Sequence, residues 1–178
     1  TLPIDSNALL IRAPMLRRAL ISGARRVIKH RDFLNKINVF PVPDGDTGSN
    51  MAFTLGNVLS GALNRRAYST GELLRRVSEH AIDGARGNSG AILAQFFTGV
   101  SERIGTSPIA SLEQMAQAIR HGADTARQAL TEPKEGTILS VITAFAASLQ
   151  TDSRGFHFRH WFENALIAAR KALANTPN

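Results

Sequence analysis

Two carboxylates one residue apart, Asp44 and Asp46, sit in the run Val42-Pro43-Asp44-Gly45-Asp46-Thr47-Gly48, with no Lys or Arg close by in sequence. Like charges held this close are unfavourable unless something neutralises them. Magnesium suits the pair, because this hard cation is commonly held by one or two carboxylates together with substrate phosphates. The metal would let acidic side chains and an anionic polyphosphate share one site. Asp-Gly is also ordinary turn chemistry, and Asp or Thr ahead of a helix is a routine cap. Taken alone, these residues leave turn and metal site both open.

The segment is one of three with the same character. Asn38 to Asn50, Gly84-Ala85-Arg86-Gly87-Asn88-Ser89-Gly90 and Pro133-Lys134-Glu135-Gly136-Thr137 each join Gly to hydroxyl or amide side chains. Each runs directly into an apolar-periodic stretch. A helix N-terminus exposes unpaired N–H groups and the positive end of the macrodipole, so it attracts anions. Glycine lets backbone approach a phosphate closely. Helices beginning near Gly48, Asn88 and Thr137 would converge on one ligand if alternate helices of a bundle start at the same end. Arg86 and Lys134 are the only basic residues in the three segments, so neutralisation is expected mainly from Mg²⁺ and backbone dipoles. An EF-hand is excluded, since its positions 5 and 12 would be Gly48 and Leu55. No Gly-Lys-Ser/Thr follows a strand, which excludes a Walker loop, and Gly87-Asn88-Ser89-Gly90 is not a nucleophile elbow.

Helices must position these loops. Leu112, Met115, Ala116, Ile119, Ala123, Ala126 and Leu130 recur at helical spacing. The same spacing runs through Leu93 to Ile104, Ile138 to Leu149, Phe162 to Leu173 and Met51 to Ala62, with a shorter stripe from Leu73 to Ala81. Pro14 suits a first helical turn, with Leu16, Ala19, Leu20, Gly23 and Val27 following on one face. Thr70-Gly71-Glu72 and Ser111-Leu112-Glu113-Gln114 carry start signals, the second a capping box. No segment alternates with period two for long enough to predict a strand. The expected class is all-α, an up-and-down bundle in one domain over 1–178, without repeats or a dividing linker.

Bulk properties narrow the function. Of 178 residues, 43% are hydrophobic and 20% charged, as in an ordinary globular domain. There is no cysteine, which removes disulfides and thiolate metal sites and fits a reducing, cytoplasmic setting. No apolar run approaches the roughly 20 residues of a membrane helix. The start, Thr1-Leu2-Pro3-Ile4-Asp5, has no signal-peptide layout and no initiator Met, so an excised piece of a longer chain is expected. The net charge of +7 resides largely in Arg17-Arg18, Arg25-Arg26, Arg65-Arg66 and Arg75-Arg76, doublets expected on solvated helix faces. Without interleaved aromatics or a recognition motif, a nucleic-acid partner is not expected. The histidines, His30, His80, His121, His157 and His160, lie outside the three loops.

The run Asn38-Val-Phe-Pro-Val-Pro-Asp-Gly-Asp-Thr-Gly-Ser-Asn-Met51 resembles the signature of the ATP-binding subunit of bacterial fatty acid kinases. That subunit's N-terminal domain is similar to the nucleotide-binding L domain of dihydroxyacetone kinase. Residues 84–90 and Glu135-Gly-Thr-Ile138 resemble the family's second and third motifs, in order, so that the resemblance extends from about Asp5 to Pro177. It implies a barrel of about eight antiparallel helices, with ATP or ADP bound at one end through two Mg²⁺ ions. By motif position it assigns Asp44 and Asp46 to metal. It gives Thr47, Gly48, Ser49, Asn50, Gly87, Asn88, Ser89, Gly136 and Thr137 to the nucleotide. Asn38 stands, offset by one, where dihydroxyacetone kinase has a third metal-binding aspartate, and it is usual among fatty acid kinases. Thr47 replaces that enzyme's histidine. Relatives continue past Pro177 into domains that carry catalytic residues and engage a fatty-acid-carrying protein, so no catalytic residue is assigned here. The implied function is the nucleotide-binding domain of a kinase for a protein-bound fatty acid. The alternatives are a kinase of a small hydroxyketone and a non-enzymatic helical interaction domain.

Overall fold

The computed structural model describes residues 10–36, 46–129 and 171. Strand β1 (Leu10–Arg12) leads into α1 (Ala13–Lys29) and α2 (Arg31–Lys36). Helices α3 (Thr47–Gly61), α4 (Thr70–Asp83) and α5 (Gly87–Ile104) follow, then β2 (Ile109–Ser111) and α6 (Leu112–Gln128). The chain is all-α in class, a helical bundle with one small ladder. Five of the expected apolar stripes are α1, α3, α4, α5 and α6. The stripe from Ile138 lies outside the described residues. Of the last stripe only Lys171 is described, and it is helical.

Cross-helix contacts give the directions. Ser78 Oγ lies 3.1 Å from Thr98 Oγ1, and Gly71 abuts the Gly105 carbonyl, so α4 and α5 are antiparallel. Asn57 Nδ2 donates to the His80 carbonyl at 2.7 Å while Ala62 meets Arg76, so α3 and α4 are antiparallel too. Gly87 meets Asn50 and Gly90 meets Thr54, numbers rising together, so α3 and α5 run parallel and begin at the same end. Helix α6 returns along α5. Gly99 and Gly122 face each other there, and a Cβ on either would collide with Thr125 or with Val100 and the Phe96 carbonyl.

The core is aliphatic, with Leu73, Leu74 and Val77 of α4, Val58 of α3 and Met115 of α6 almost fully enclosed. Burying each such side chain contributes about 1.5–3 kcal/mol.

The end opposite the starts of α3 and α5 is tied shut. Strands β1 and β2 pair antiparallel, Leu10 opposite Ser111 and Arg12 opposite Ile109. The sequence predicted no strand, because three-residue strands are too short to establish a period. Helix α4 starts at Thr70 as the start signal predicts, and its N-cap is Ser69, which accepts the Glu72 N–H, while the buried Thr70 hydroxyl donates to the Ile11 carbonyl at 3.0 Å. The Ser111–Gln114 capping box forms as expected, with both of its hydrogen bonds.

One arginine doublet departs from the solvated reading. Arg75 is exposed and pairs with Glu79 at 3.0 Å, but Arg76 is only 5% exposed. Its guanidinium donates to the carbonyls of Ala62 (2.7 Å), Arg65 (2.9 Å) and Arg66 (3.0 Å), and Arg17 Nε donates to Leu63 O at 3.0 Å. Helix α3 has no cation in its last turn, and these neighbours supply two. Desolvation lowers the Arg76 pKa from its ordinary value, with repulsion from Arg65 second. Its Nε is buried with no partner among the described residues.

Candidate functional site

The paired starts of α3 and α5 bring the first two loops together. Asp46 is the N-cap of α3; its carbonyl accepts the Asn50 N–H at 2.8 Å, and its exposed side chain makes no cap hydrogen bond. Thr47, Gly48, Ser49 and Asn50 form the first turn. Gly48 and Asn50 are buried, while Ser49 is exposed.

Gly87 opens α5 at φ +65, a left-handed conformation that glycine adopts without cost. The Asn50 side chain occupies the space where a Cβ on Gly87 would lie. Asn88, in the same turn, is exposed, and Ser89 is 7% exposed. Helix α5 has no side-chain cap. Helices α4 and α6 are capped by their own serines, whereas α1, α3 and α5 are not, and of these α3 and α5 start side by side. Their first-turn donors and dipoles therefore stand close together with the same orientation, an arrangement that favours an anion.

Sequence reasoning missed three residues here. Thr54, one turn below Asn50, is fully buried; it donates to the Asn50 carbonyl at 2.9 Å and accepts the Arg86 N–H at 3.3 Å, tying the two motifs. A hydroxyl on the apolar stripe between Met51 and Val58 was the available signal. Phe53 is 53% exposed and lies beneath the Arg86 guanidinium, 4.9 Å from carbon to ring centroid. Asn35 of α2 holds Ser49 through two hydrogen bonds of 3.0 Å. No local pattern marks Asn35, since its partner is 14 residues away.

Asn38, Asp44, Gly136 and Thr137, with Lys134, lie outside the described residues. Among the described residues no cluster of three or more His, Asp or Glu side chains could hold a metal, and no helix is long and apolar enough to cross a membrane. His121 is a surface residue of α6, 3.7 Å from Glu102. His160 lies outside the described residues.

The candidate site thus belongs to a helical domain in which two parallel helices start side by side. The family model of the DAK2 domain matches residues 41–178, and the chain belongs to this dihydroxyacetone-kinase-like family. It is 38% identical over 160 residues to uncharacterized proteins of Staphylococcus saprophyticus and Staphylococcus haemolyticus, and 36% identical to one of Staphylococcus epidermidis. Each match covers 89% of this chain and 29% of the relative, so the chain spans less than a third of those proteins' length.

Proposed function

We propose that this chain is the Mg²⁺-dependent ATP- and ADP-binding domain of a kinase that phosphorylates a protein-bound fatty acid. The observation that carries the reading is the junction of two parallel, self-uncapped helix starts, where Gly87 at φ +65 packs directly on Asn50 beside the exposed Asp46. A side chain at Gly87 would fill the cradle. The donor set also fits the metal: a carboxylate at the mouth, hydroxyls and amides within, and few cations.

In this reading Asp46, with Asp44 and Asn38, holds Mg²⁺, and the metal supplies neutralisation of the polyphosphate. The first turns of α3 and α5, with Gly136 and Thr137 from the third motif, grip the phosphates. Orientation and electrostatic preorganisation are the main contributions a protein makes to phosphoryl transfer. The acyl acceptor belongs to a separate carrier protein in this proposal, presented by the parts of the relatives that this chain does not span.

A hydroxyketone kinase is the second reading, and the family name favours it. Thr47, where dihydroxyacetone kinase has histidine, argues against it.

Isothermal titration of the chain with ATP and ADP, with Mg²⁺ and then with EDTA, tests the proposal. Metal-dependent saturable binding is expected. No binding with Mg²⁺ present would overturn it in favour of a helical interaction domain. Acyl-phosphate formation from fatty acid, Mg-ATP and carrier protein is expected only with the longer protein. Turnover of dihydroxyacetone instead would select the second reading.

A further inference from the structure

The Ser49 hydroxyl can act toward a ligand as donor or as acceptor, and its bonds to Asn35 leave its hydrogen available for the donor role. Ser49 N is the third backbone donor of α3, and Asn35 Oδ1 accepts from it at 3.0 Å. A backbone N–H only donates, so the facing atom of the amide must be its oxygen. The amide nitrogen then faces Ser49 Oγ, also at 3.0 Å, and there the amide is the donor and the hydroxyl oxygen the acceptor. The hydroxyl hydrogen is not used in either bond. Ser49 is exposed at the mouth of α3, so that hydrogen can be turned toward a ligand there.

We infer that Asn35 is a positioning residue of the nucleotide site, one that sets the polarity of the Ser49 hydroxyl so that it donates to a phosphate oxygen. The inference rests on the proposed nucleotide-binding function. Two consequences follow from the same pair of bonds. Asn35 caps α3 from another helix, which explains how α3 begins without a side-chain cap of its own. It also consumes the Ser49 N–H, so the donors of this turn that serve an anion are Thr47 N, Gly48 N and the Ser49 hydroxyl.

Asn35→Asp separates polarity from structure. Its carboxylate still accepts the Ser49 N–H, so the turn is kept, but it also accepts the Ser49 hydroxyl and turns that hydrogen away from the ligand. Losing a hydrogen bond to a charged group lowers affinity by about 10-fold or more. The added negative charge near phosphate would lower affinity as well, so Ser49→Ala provides the reference. In the Ser49→Ala background there is no hydroxyl to turn, and Asn35→Asp retains only its charge effect.

The experiment is a double-mutant cycle on the chain, reading Mg-ADP affinity by titration and unfolding temperature without ligand. Asn35→Asp is expected to weaken binding by about 10-fold or more with Ser49 present, and clearly less in the Ser49→Ala background. Ser49→Thr, which keeps a hydroxyl, is expected to bind within about 3-fold of wild type. Equal losses from Asn35→Asp in both backgrounds would overturn the inference. So would an Asn35→Asp variant that binds like wild type. Absence of wild-type binding would instead reject the nucleotide reading on which the inference stands, and with it the inference. The unfolding temperatures show whether any variant acts by destabilising the turn, which would also count against it.

Discussion

At the scale of single residues, the proposed reading gives the two charged side chains at the junction, Asp46 and Arg86, different roles. The Asp46 carboxylate is exposed at the start of α3, and the Arg86 guanidinium lies over the Phe53 ring. A cation–π contact at an exposed site is worth about 0.5–1 kcal/mol, and Arg86 would have to relinquish it to reach a phosphate. Asp46→Ala is therefore expected to cost more Mg-ADP affinity than Arg86→Ala, with little change in the circular dichroism of either. Titration at matched Mg²⁺ checks the order, and a larger loss from Arg86→Ala would mean that the site's electrostatics are wrongly assigned. Gly87→Ala combines a positive φ with a collision at Asn50. It is expected to destabilise by about 1–3 kcal/mol and to weaken nucleotide binding by moving the start of α5, both measurable by urea unfolding and titration.

At the scale of elements, the long helices were legible because each carries a stripe with the helical period over several turns. What stayed illegible depends on partners far away in sequence. Ser69 and Thr70 are adjacent hydroxyls, either able to cap α4; the Ile11 carbonyl, 59 residues away, claims Thr70. Arg75 and Arg76 are chemically identical neighbours, yet one is solvated and the other buried against the end of α3. Helix α2 is too short to show a stripe, so Asn35 went unseen, although the motif residues it serves were marked by composition. The arginine pair yields a sharp comparison. Arg76→Met leaves three carbonyls without their donor and is expected to cost about 2–3 kcal/mol. Arg75→Met removes only an exposed ion pair and is expected to cost under about 1 kcal/mol. Urea denaturation of both variants decides this, and equal costs would show that the clamp contributes nothing.

At the scale of the whole molecule, two places among the described residues are candidates for an anion, and a binding measurement has to tell them apart. One is the junction of α3 and α5. The other is an open groove of about 420 Å³ along α1, lined by Arg18, Arg25, Arg26 and Lys29 with Ile21 and Ser22, on a chain of net charge +7. A polyanion held by the groove needs no metal, and salt weakens it, because exposed charges are screened within about 8 Å at physiological ionic strength. In the proposed reading, a nucleotide held at the junction depends on Mg²⁺ through the aspartates. Ligand that binds only the folded chain stabilises it by about 2.7 kcal/mol at roughly one hundred times its dissociation constant. For a domain of this size that raises the unfolding temperature by about 5–10 °C. Mg-ADP is expected to give this rise in about 0.15 M salt, and EDTA to remove most of it. Asp46→Ala is expected to remove it with Mg²⁺ present, while Arg18→Ala and Arg25→Ala keep it. An equal rise with ADP and EDTA, lost in the arginine variants, would place the nucleotide on the basic face of α1. The paired helix starts would then be a scaffold without the ligand assigned to them.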